Sequence, residues 1–372
     1  MRQVLILTCS TGEGHNSAAK AVETAFKKHN ISCVVKDPVS FQSERMTKLV
    51  SGLYNDTIRR APGLFGAVYK LGDLFSASSL PSPVYRANAH YAGALKDYIL
   101  QNHFDAVVCT HLYGMEAMTA ILKDPEFSVP CCGVLTDYVA IPFMDDIHLT
   151  QMFVPTEEVR RNLPDKEGQK VTVTGIPVDE SFTTHPDRMA ARKQLGLEPD
   201  KNVYLVMTGG VGCENMEKLC GKLLDSLDDE DLMIVFTGKN RDLKDRLEEK
   251  FSSSGKIQVM GFTGQVALFM AAGDVLLTKP GGLSSTEAAV ANIPIVHIHA
   301  IPGCETYNAR FFSSHGMSCL ADNDEDAAAY ARILVKNQET AGKMRAMQRA
   351  YVNPDAAERI AGEVMQLCFA AR

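Results

Sequence analysis

The stretch Asp274-Val-Leu-Leu-Thr-Lys-Pro-Gly-Gly-Leu-Ser-Ser-Thr-Glu287, continued by Ala-Ala-Val-Ala291, decides how the rest of the chain is read. Val275, Leu276 and Leu277 form a short apolar run of the kind that makes a fully buried strand, and Pro280, Gly281 and Gly282 stop it. Ser284 and Ser285 are good N-cap types, Glu287 sets an acid in the first turn, and Ala288 to Ala291 favour helix, so a helix is predicted to start at the serines. Strand, glycine turn and helix N-terminus together make an anion site. Glycine lets backbone N–H groups approach a phosphate, and the helix dipole favours negative charge there. Glu287 is a poor direct ligand for phosphate, but one turn into the helix its carboxylate is placed to accept hydrogen bonds from two ribose hydroxyls. An ordinary strand-to-helix turn has the same local pattern, so the remainder of the chain has to arbitrate.

The same unit recurs on both sides. Upstream, Val203 to Met207 reads as a strand, Thr208-Gly209-Gly210-Val211-Gly212 as a glycine loop and Glu214 to Leu227 as a helix. Leu232 to Phe236 is a strand ending in Thr237-Gly238-Lys239-Asn240, and Ile257 to Met260 leads to Gly261-Phe262. Downstream, Ile295 to Ile298 precedes Pro302-Gly303-Cys304-Glu305-Thr-Tyr-Asn308. Each strand of this half ends in a loop with glycine or a polar residue, so one sheet edge is a continuous binding surface. Asp324 to Arg372 is helical by composition and is expected to close this second domain.

The first half opens with the strand Val4 to Thr8, a turn over Thr11 to Gly14, the helix His15 to Lys28 and the strand Ile31 to Lys36. This is a βαβ unit whose first turn offers another anion cradle, with Gly14 in it, but Ser17 stands where a G-x-G-x-x-G fingerprint needs its third glycine. That argues against a nicotinamide cofactor. His15 at the helix N-terminus is expected to be kept neutral by the dipole, as a base requires, although a solvent-exposed helix-start histidine fits the same position. Ala106 to Cys109 ends in Thr110-His111, and Cys131 to Leu135 ends in Thr136-Asp137-Tyr138. Ligands of open parallel sheets sit just past the strand carboxyl ends, which brings His15, His111 and Asp137 to one edge. Gln151 to Val154, the helix Glu157 to Asn162 and Val171 to Thr174 follow, and the turn-rich Gly175-Ile-Pro-Val-Asp179 marks the boundary between domains at 1–175 and 176–372.

Composition excludes several classes. A chain of 372 residues with 45% hydrophobic and 22% charged residues is globular and long enough for two domains. A net charge of -7 argues against a nucleic-acid binder. The ten cysteines are scattered without a C-x-x-C and read as buried thiols. Val4 to Leu7 is too short for a signal peptide, and no apolar run approaches the roughly 20 residues that span a bilayer, so the expected location is the cytoplasm. Residues 41 to 86 nevertheless carry six Lys or Arg against three Asp or Glu. Within them Tyr54, Leu64, Phe65, Val68, Tyr69, Leu71, Leu74 and Phe75 lie among Arg59, Arg60 and Lys70, a mixture suited to an anionic membrane surface or to the packed face of two short helices.

Taken together, Gly12-Glu-Gly-His15-Asn-Ser-Ala-Ala19, Leu135-Thr-Asp137, Val173-Thr-Gly-Ile-Pro-Val178, Gly238-Lys-Asn240, Thr278-Lys-Pro-Gly-Gly282 and Pro302-Gly-Cys-Glu305 resemble glycosyltransferase family 28, in the branch of monogalactosyldiacylglycerol synthase and processive diacylglycerol glucosyltransferase. The resemblance spans nearly the whole chain. It implies the α/β GT-B fold, two Rossmann-like domains facing each other across a cleft, with the lipid acceptor on the N-terminal domain and the UDP-sugar on the C-terminal one. It further implies that Gly261 and Phe262 present backbone to the uracil, that Gly281, Gly282, Ser284 and Ser285 hold the diphosphate, and that Glu287 holds the ribose. Glu305 and Asn308 would take the sugar hydroxyls, and Gly209, Gly210, Gly238 and Asn240 would complete the donor pocket. Gly14 and His111 fall to the acceptor side, and Arg59, Arg60 and Lys70 to the membrane.

Similar proteins have Pro-Gly-Gln-Glu where this chain has Cys304, which leaves the donor sugar open. The implied reaction is inverting and needs neither cofactor nor metal, since no Asp-x-Asp motif lies at a plausible strand end. Asp137 is the first choice of base, with His15 sharing that role or orienting the acceptor, and the reverse order stays open. The implied location is the inner face of the cell membrane, held peripherally. Two other activities share the motifs: transfer of N-acetylglucosamine to a polyprenyl-linked peptidoglycan precursor, and epimerisation of a UDP-sugar.

Overall fold

The computed structural model describes residues 2–9, 13–41, 82–141, 143–207 and 216–369, which form two compact units. The first comprises residues 1–179, 302–304 and 353–372, and the second residues 180–301 and 305–352.

In the first unit the order is β1 (Gln3–Leu7), α1 (Glu13–Lys28), β2 (Ser32–Lys36), α2 (Pro83–Ala89), α3 (Ala92–Gln101), β3 (Ala106–Cys109), α4 (Leu112–Ile121), β4 (Cys131–Val134), β5 (Gln151–Val154), α5 (Glu157–Asn162) and β6 (Lys170–Val173). The strands make one parallel sheet in the order β2-β1-β3-β4-β5-β6. Strands β3, β4 and β5 are buried along their whole length, which is why they read as unbroken apolar runs. One sheet face packs on Leu95, Ile99, Met115 and Met118, and the other on Ala19, Val22, Ala25 and Phe26 of α1. The order reverses between β1 and β3, so the crevice of this sheet opens where those two strands end.

In the second unit α6 (Arg188–Leu195) and β7 (Asn202–Met207) are followed by α7 (Met216–Asp225), β8 (Asp231–Phe236), α8 (Arg241–Lys250), β9 (Ile257–Met260), α9 (Val266–Ala272), β10 (Val275–Thr278), α10 (Gly282–Val290), β11 (Ile295–His297), α11 (Cys304–Ser314), β12 (Cys319–Leu320), α12 (Asp324–Lys336) and α13 (Gln338–Tyr351). All strand pairs are parallel, in the order β12-β11-β10-β7-β8-β9. This is the doubly wound order of nucleotide-binding sheets, with its reversal between β7 and β10. A buried ion pair fixes its base: Arg192, 1% exposed, donates to Asp274 Oδ2 at 2.8 Å and to Ala272 O at 3.0 Å, and Val203 N–H reaches the same carboxylate at 2.7 Å.

Two expectations need correction. The last helix, α14 (Ala356–Phe369), does not close the second domain. Ile360, Ala361 and Val364 belong to the core of the first unit, beside α1. Glu358 faces Lys28 and His29, and Glu363 takes Lys170 at 2.7 Å and Gln151 at 3.0 Å. The boundary itself falls at 179/180, because Ile176 and Val178 are buried in the first unit. Gly175 makes the return close: its φ is +93°, and a Cβ there would stand 3.2 Å from Asn353 Cβ and 3.3 Å from Ala356 Cβ.

No disulfide forms among the described cysteines. Among the described residues no helix is long and apolar enough to cross a membrane.

Candidate active site

At the reversal of the first sheet the residues after β1, β3 and β4 come together. His15, the third residue of α1, has Nδ1 2.9 Å from Thr110 O. A carbonyl only accepts, so Nδ1 carries the proton and Nε2 keeps the lone pair. Thr136 Oγ1 lies 3.1 Å from the same nitrogen, and Thr110 Oγ1 donates to His15 O at 3.1 Å. The ring is thus clamped from both neighbouring strand ends. His15 is held below the ordinary histidine range, and the leading cause is burial of the ring, with the Asp137 charge and the Thr110 carbonyl pulling the other way. Neutrality was expected of His15, but burial, rather than the helix dipole, is its main source.

His111 stands edge-on to His15, ring centroids 4.6 Å apart. Its Nδ1 accepts from Tyr113 N–H at 3.2 Å and caps α4, so this ring has the opposite tautomer, with the proton on Nε2. Burial and the neighbouring His15 push it well below the usual range. Asp137 is half-buried and shares a small pocket with His15, Thr110, Thr136, Leu112, Met115, Val139 and Ile141. Thr110 and Thr136 are the residues that motif reading left without a role. The signal was their place, each one residue before His111 and Asp137.

Behind this pocket Glu116 of α4 is fully buried. It accepts from Asn88 Nδ2 at 2.6 Å, and burial raises its pKa to about 8. Tyr91 O–H completes the set on Asn88 Oδ1 at 2.7 Å. Gly14 sits in the first turn of α1 and not in a preceding loop.

The strand-end edge of the second sheet is built differently. Helix α10 begins at Gly282 with Gly281 as an N-cap that has no side chain to offer. The first N–H groups of the helix, at Gly282, Leu283 and Ser284, have no partner within it and face the turn after β10. The predicted start at the serines is corrected by two to three residues. Ser285 is fully buried, its N–H bonds Gly281 O at 3.0 Å, and its Oγ lies 2.9 Å from His297 Nε2, whose Nδ1 is 3.1 Å from Ser318 Oγ. Its hydroxyl therefore braces the helix against β11. Ser284 and Glu287 are half-buried, and Glu287 lies beyond the first turn.

Asn308 is likewise fully buried and donates to Pro280 O at 3.1 Å, so it holds the glycine turn. Glu305 accepts from Ile301 N–H at 2.8 Å and remains half-buried. Asn240 spends its Oδ1 on Leu243 N–H at 3.0 Å, capping α8. Gly238 has a φ of +57°, which favours glycine, and Gly261 lies against its carbonyl. Phe262 is 72% exposed at the end of β9, with Lys239 Nζ 5.7 Å from its ring. Gly209 and Gly210, and Arg59, Arg60 and Lys70, lie outside the described residues.

Two parallel α/β units with these strand-end edges define the GT-B class, and solved structures agree over the whole chain. MurG of Acinetobacter baumannii superposes with a TM-score of 0.64, 15% identity, 98% of this chain and 100% of that one. A UDP-N-acetylglucosamine 2-epimerase gives 0.64, 15%, 100% and 97%, and UGT71G1 of Medicago truncatula, complexed with UDP-glucose, gives 0.60, 13%, 99% and 98%.

The family model of monogalactosyldiacylglycerol (MGDG) synthase matches residues 15–178, and that of UDP-N-acetylglucosamine 2-epimerase matches residues 146–365, more than half the chain. A processive diacylglycerol beta-glucosyltransferase of Staphylococcus saprophyticus is 25% identical over 339 residues, 88% of this chain and 83% of the relative. One of Staphylococcus aureus is 24% identical over 91% of this chain and 86% of the relative. The chain therefore belongs through residues 146–365 to the UDP-N-acetylglucosamine 2-epimerase family, and as a whole to glycosyltransferase family 28, in the branch of monogalactosyldiacylglycerol synthase and processive diacylglycerol glucosyltransferase.

Proposed function

We propose that this protein is an inverting hexosyltransferase that moves glucose or galactose from a UDP-sugar to diacylglycerol, or to a glycosyl-diacylglycerol, making membrane glycolipid. The observation that carries the reading is the match of the His15-bearing unit to monogalactosyldiacylglycerol synthase, joined to full-length relatives with diacylglycerol glucosyltransferase activity in their names. The donor half is common to epimerases and transferases, so the acceptor half decides.

In this reading the acceptor hydroxyl attacks the anomeric carbon from the face opposite UDP. The C–O bond to the diphosphate breaks with its electron pair, and the hydroxyl proton passes to His15 Nε2. The other proton stays on Nδ1, which donates to Thr110 O and so holds the ring in register. Asp137 favours the imidazolium as it forms, so His15 takes the role of base for which Asp137 is the first choice from sequence. Departing UDP is stabilised by the backbone N–H groups that open α10, with Glu287 on the ribose and Gly261-Phe262 at the base. A helix N-terminus then does what a divalent cation does in other transferases, so turnover should be unaffected by EDTA. Arg59, Arg60 and Lys70 remain the proposed peripheral contact with the anionic inner face of the cell membrane.

The test is incubation with UDP-glucose and, separately, UDP-galactose in the presence of diacylglycerol vesicles, with products read by mass spectrometry. Hexosyl-diacylglycerol and equimolar UDP are expected. An isomerised UDP-sugar without glycolipid, or transfer to a polyprenyl diphosphate acceptor alone, would overturn the reading.

A further inference from the structure

The edge of the second sheet where the strands begin, opposite the nucleotide end, gathers arginines that the transferase reading does not use. Asp274 opens β10 and Asn292 stands just before β11. Leu276 N–H bonds Pro294 O at 2.8 Å, so the two residues are neighbours at that corner. From α6, Arg192 takes Asp274 Oδ2 and Arg188 takes Asp274 Oδ1. From α13, Arg349 donates to Asn292 Oδ1, and Asn292 Nδ2 donates to Arg345 O at 2.9 Å. Arg345 and Arg349 are one helical turn apart and share a face over the corner.

Arg188 and Arg192 thus take both oxygens of the Asp274 carboxylate, Arg345 feels its charge, and Arg349 lies beside them on Asn292. The other acids at hand are committed elsewhere: Asp187 Oδ1 caps α6 through Ala190 N–H at 2.9 Å, and Asp200 acts on Arg192. Among the described residues no carboxylate pairs with Arg345 or Arg349, although Arg345 is half-buried. Burial and the like charges of Arg188 and Arg349 hold Arg345 below the usual arginine range, with Asp274 pulling the other way. A half-buried guanidinium among others costs stability unless an anion joins them. Its planar fork suits a phosphate, with bidentate bonds to oxygens fixed in a tetrahedron.

We propose that Arg188, Arg345 and Arg349 form a second anion site on this unit, for a phosphate dianion or monoester. It is separated from the diphosphate turn by the length of β10, roughly 13 Å at 3.3 Å per residue. The phosphate has two available sources, a soluble molecule or a phospholipid headgroup. Met189 and Tyr351, 56% and 46% exposed, stand next to the arginines in sequence and give the second source an apolar flank.

The experiment uses protein saturated with UDP, so that the donor site is filled. Inorganic phosphate is titrated against sodium chloride of equal ionic strength, with binding read by calorimetry and by melting temperature. The parent is expected to bind and be stabilised, and Arg345→Gln/Arg349→Gln to bind at least tenfold more weakly with UDP affinity unchanged. In phosphate-free buffer Arg345→Gln should melt at or above the parent, because a like charge has been removed; a merely structural arginine would give a lower melting point.

The second arm compares sedimentation with phosphatidylcholine vesicles with and without phosphatidylglycerol. Loss of anionic-vesicle binding in the double variant assigns the headgroup as the source. If UDP-saturated parent responds to neither phosphate nor anionic vesicles, or if parent and double variant respond equally to both, the site is refuted while the transferase reading stands.

Discussion

The two sheets share an architecture and differ in what they present at their strand ends. The first presents side chains: His15, His111, Thr110, Thr136 and Asp137 meet there, and the two histidines are pushed below their ordinary range by burial. The second presents backbone: Gly281, Gly282 and the first N–H groups of α10 line the edge, while Ser285, Asn308 and Asn240 turn inward to hold the frame. A group that takes a proton has to be a side chain with a tuned pKa. A diphosphate is held best by N–H groups that cannot be titrated. In the proposed reaction the same fold would serve chemistry on one unit and binding on the other.

The largest effect should come from the side-chain edge. His15→Ala is expected to lower turnover about 1,000-fold and Asp137→Asn about 100-fold, within the range for loss of a general base or its charge partner, with UDP affinity within twofold of the parent in calorimetry. If Asp137→Asn proves the more damaging, the two roles exchange. Glu116 sharpens the contrast through pH. Its carboxyl stays protonated in the folded chain up to about 8 but ionises near 4.5 when unfolded, so the folded state binds more protons between those values and stability falls as pH rises through that window. Glu116→Gln removes the slope and should be about 2 to 3 kcal/mol more stable than the parent at pH 7, with little difference at pH 4, by urea unfolding.

At the backbone edge the effects should be smaller and confined to binding. Glu287→Ala should weaken UDP by about 1.5 to 3 kcal/mol, the worth of charged hydrogen bonds, with the chemical step little changed. Unaltered UDP affinity would remove Glu287 from the site. Smallest of all, Ser285→Ala should cost about 1 kcal/mol of stability, because it leaves His297 short of a partner, and should change UDP affinity only a few-fold. A tenfold loss of UDP binding without loss of stability would return Ser285 to the phosphate.

Much of this is legible in the sequence alone. Buried parallel strands are largely apolar runs, so Ala106–Cys109 and Gln151–Val154 fall where the sequence puts them. What escaped depends on partners distant in sequence. Ser285 looks like a cap because serine usually is one, and nothing local reveals that His297 waits twelve residues on. The apolar face of α14 predicts burial but does not say in which core, and the core it joins is built from residues between Val4 and Phe153. His15 was recognisable from its place after a glycine turn, whereas its tautomer rests on Thr110, which the chain brings back 95 residues later.

That tautomer is where the account is most exposed. Nitrogen-15 spectra of histidine-labelled protein, with His15→Gln used for assignment, report directly which ring nitrogen carries the proton. A neutral His15 is expected at pH 7, with the proton on Nδ1 and a bare Nε2, protonating only below the ordinary histidine range and unmoved by UDP. An Nε2–H tautomer, or an imidazolium at pH 7, would contradict it and take the base away from His15.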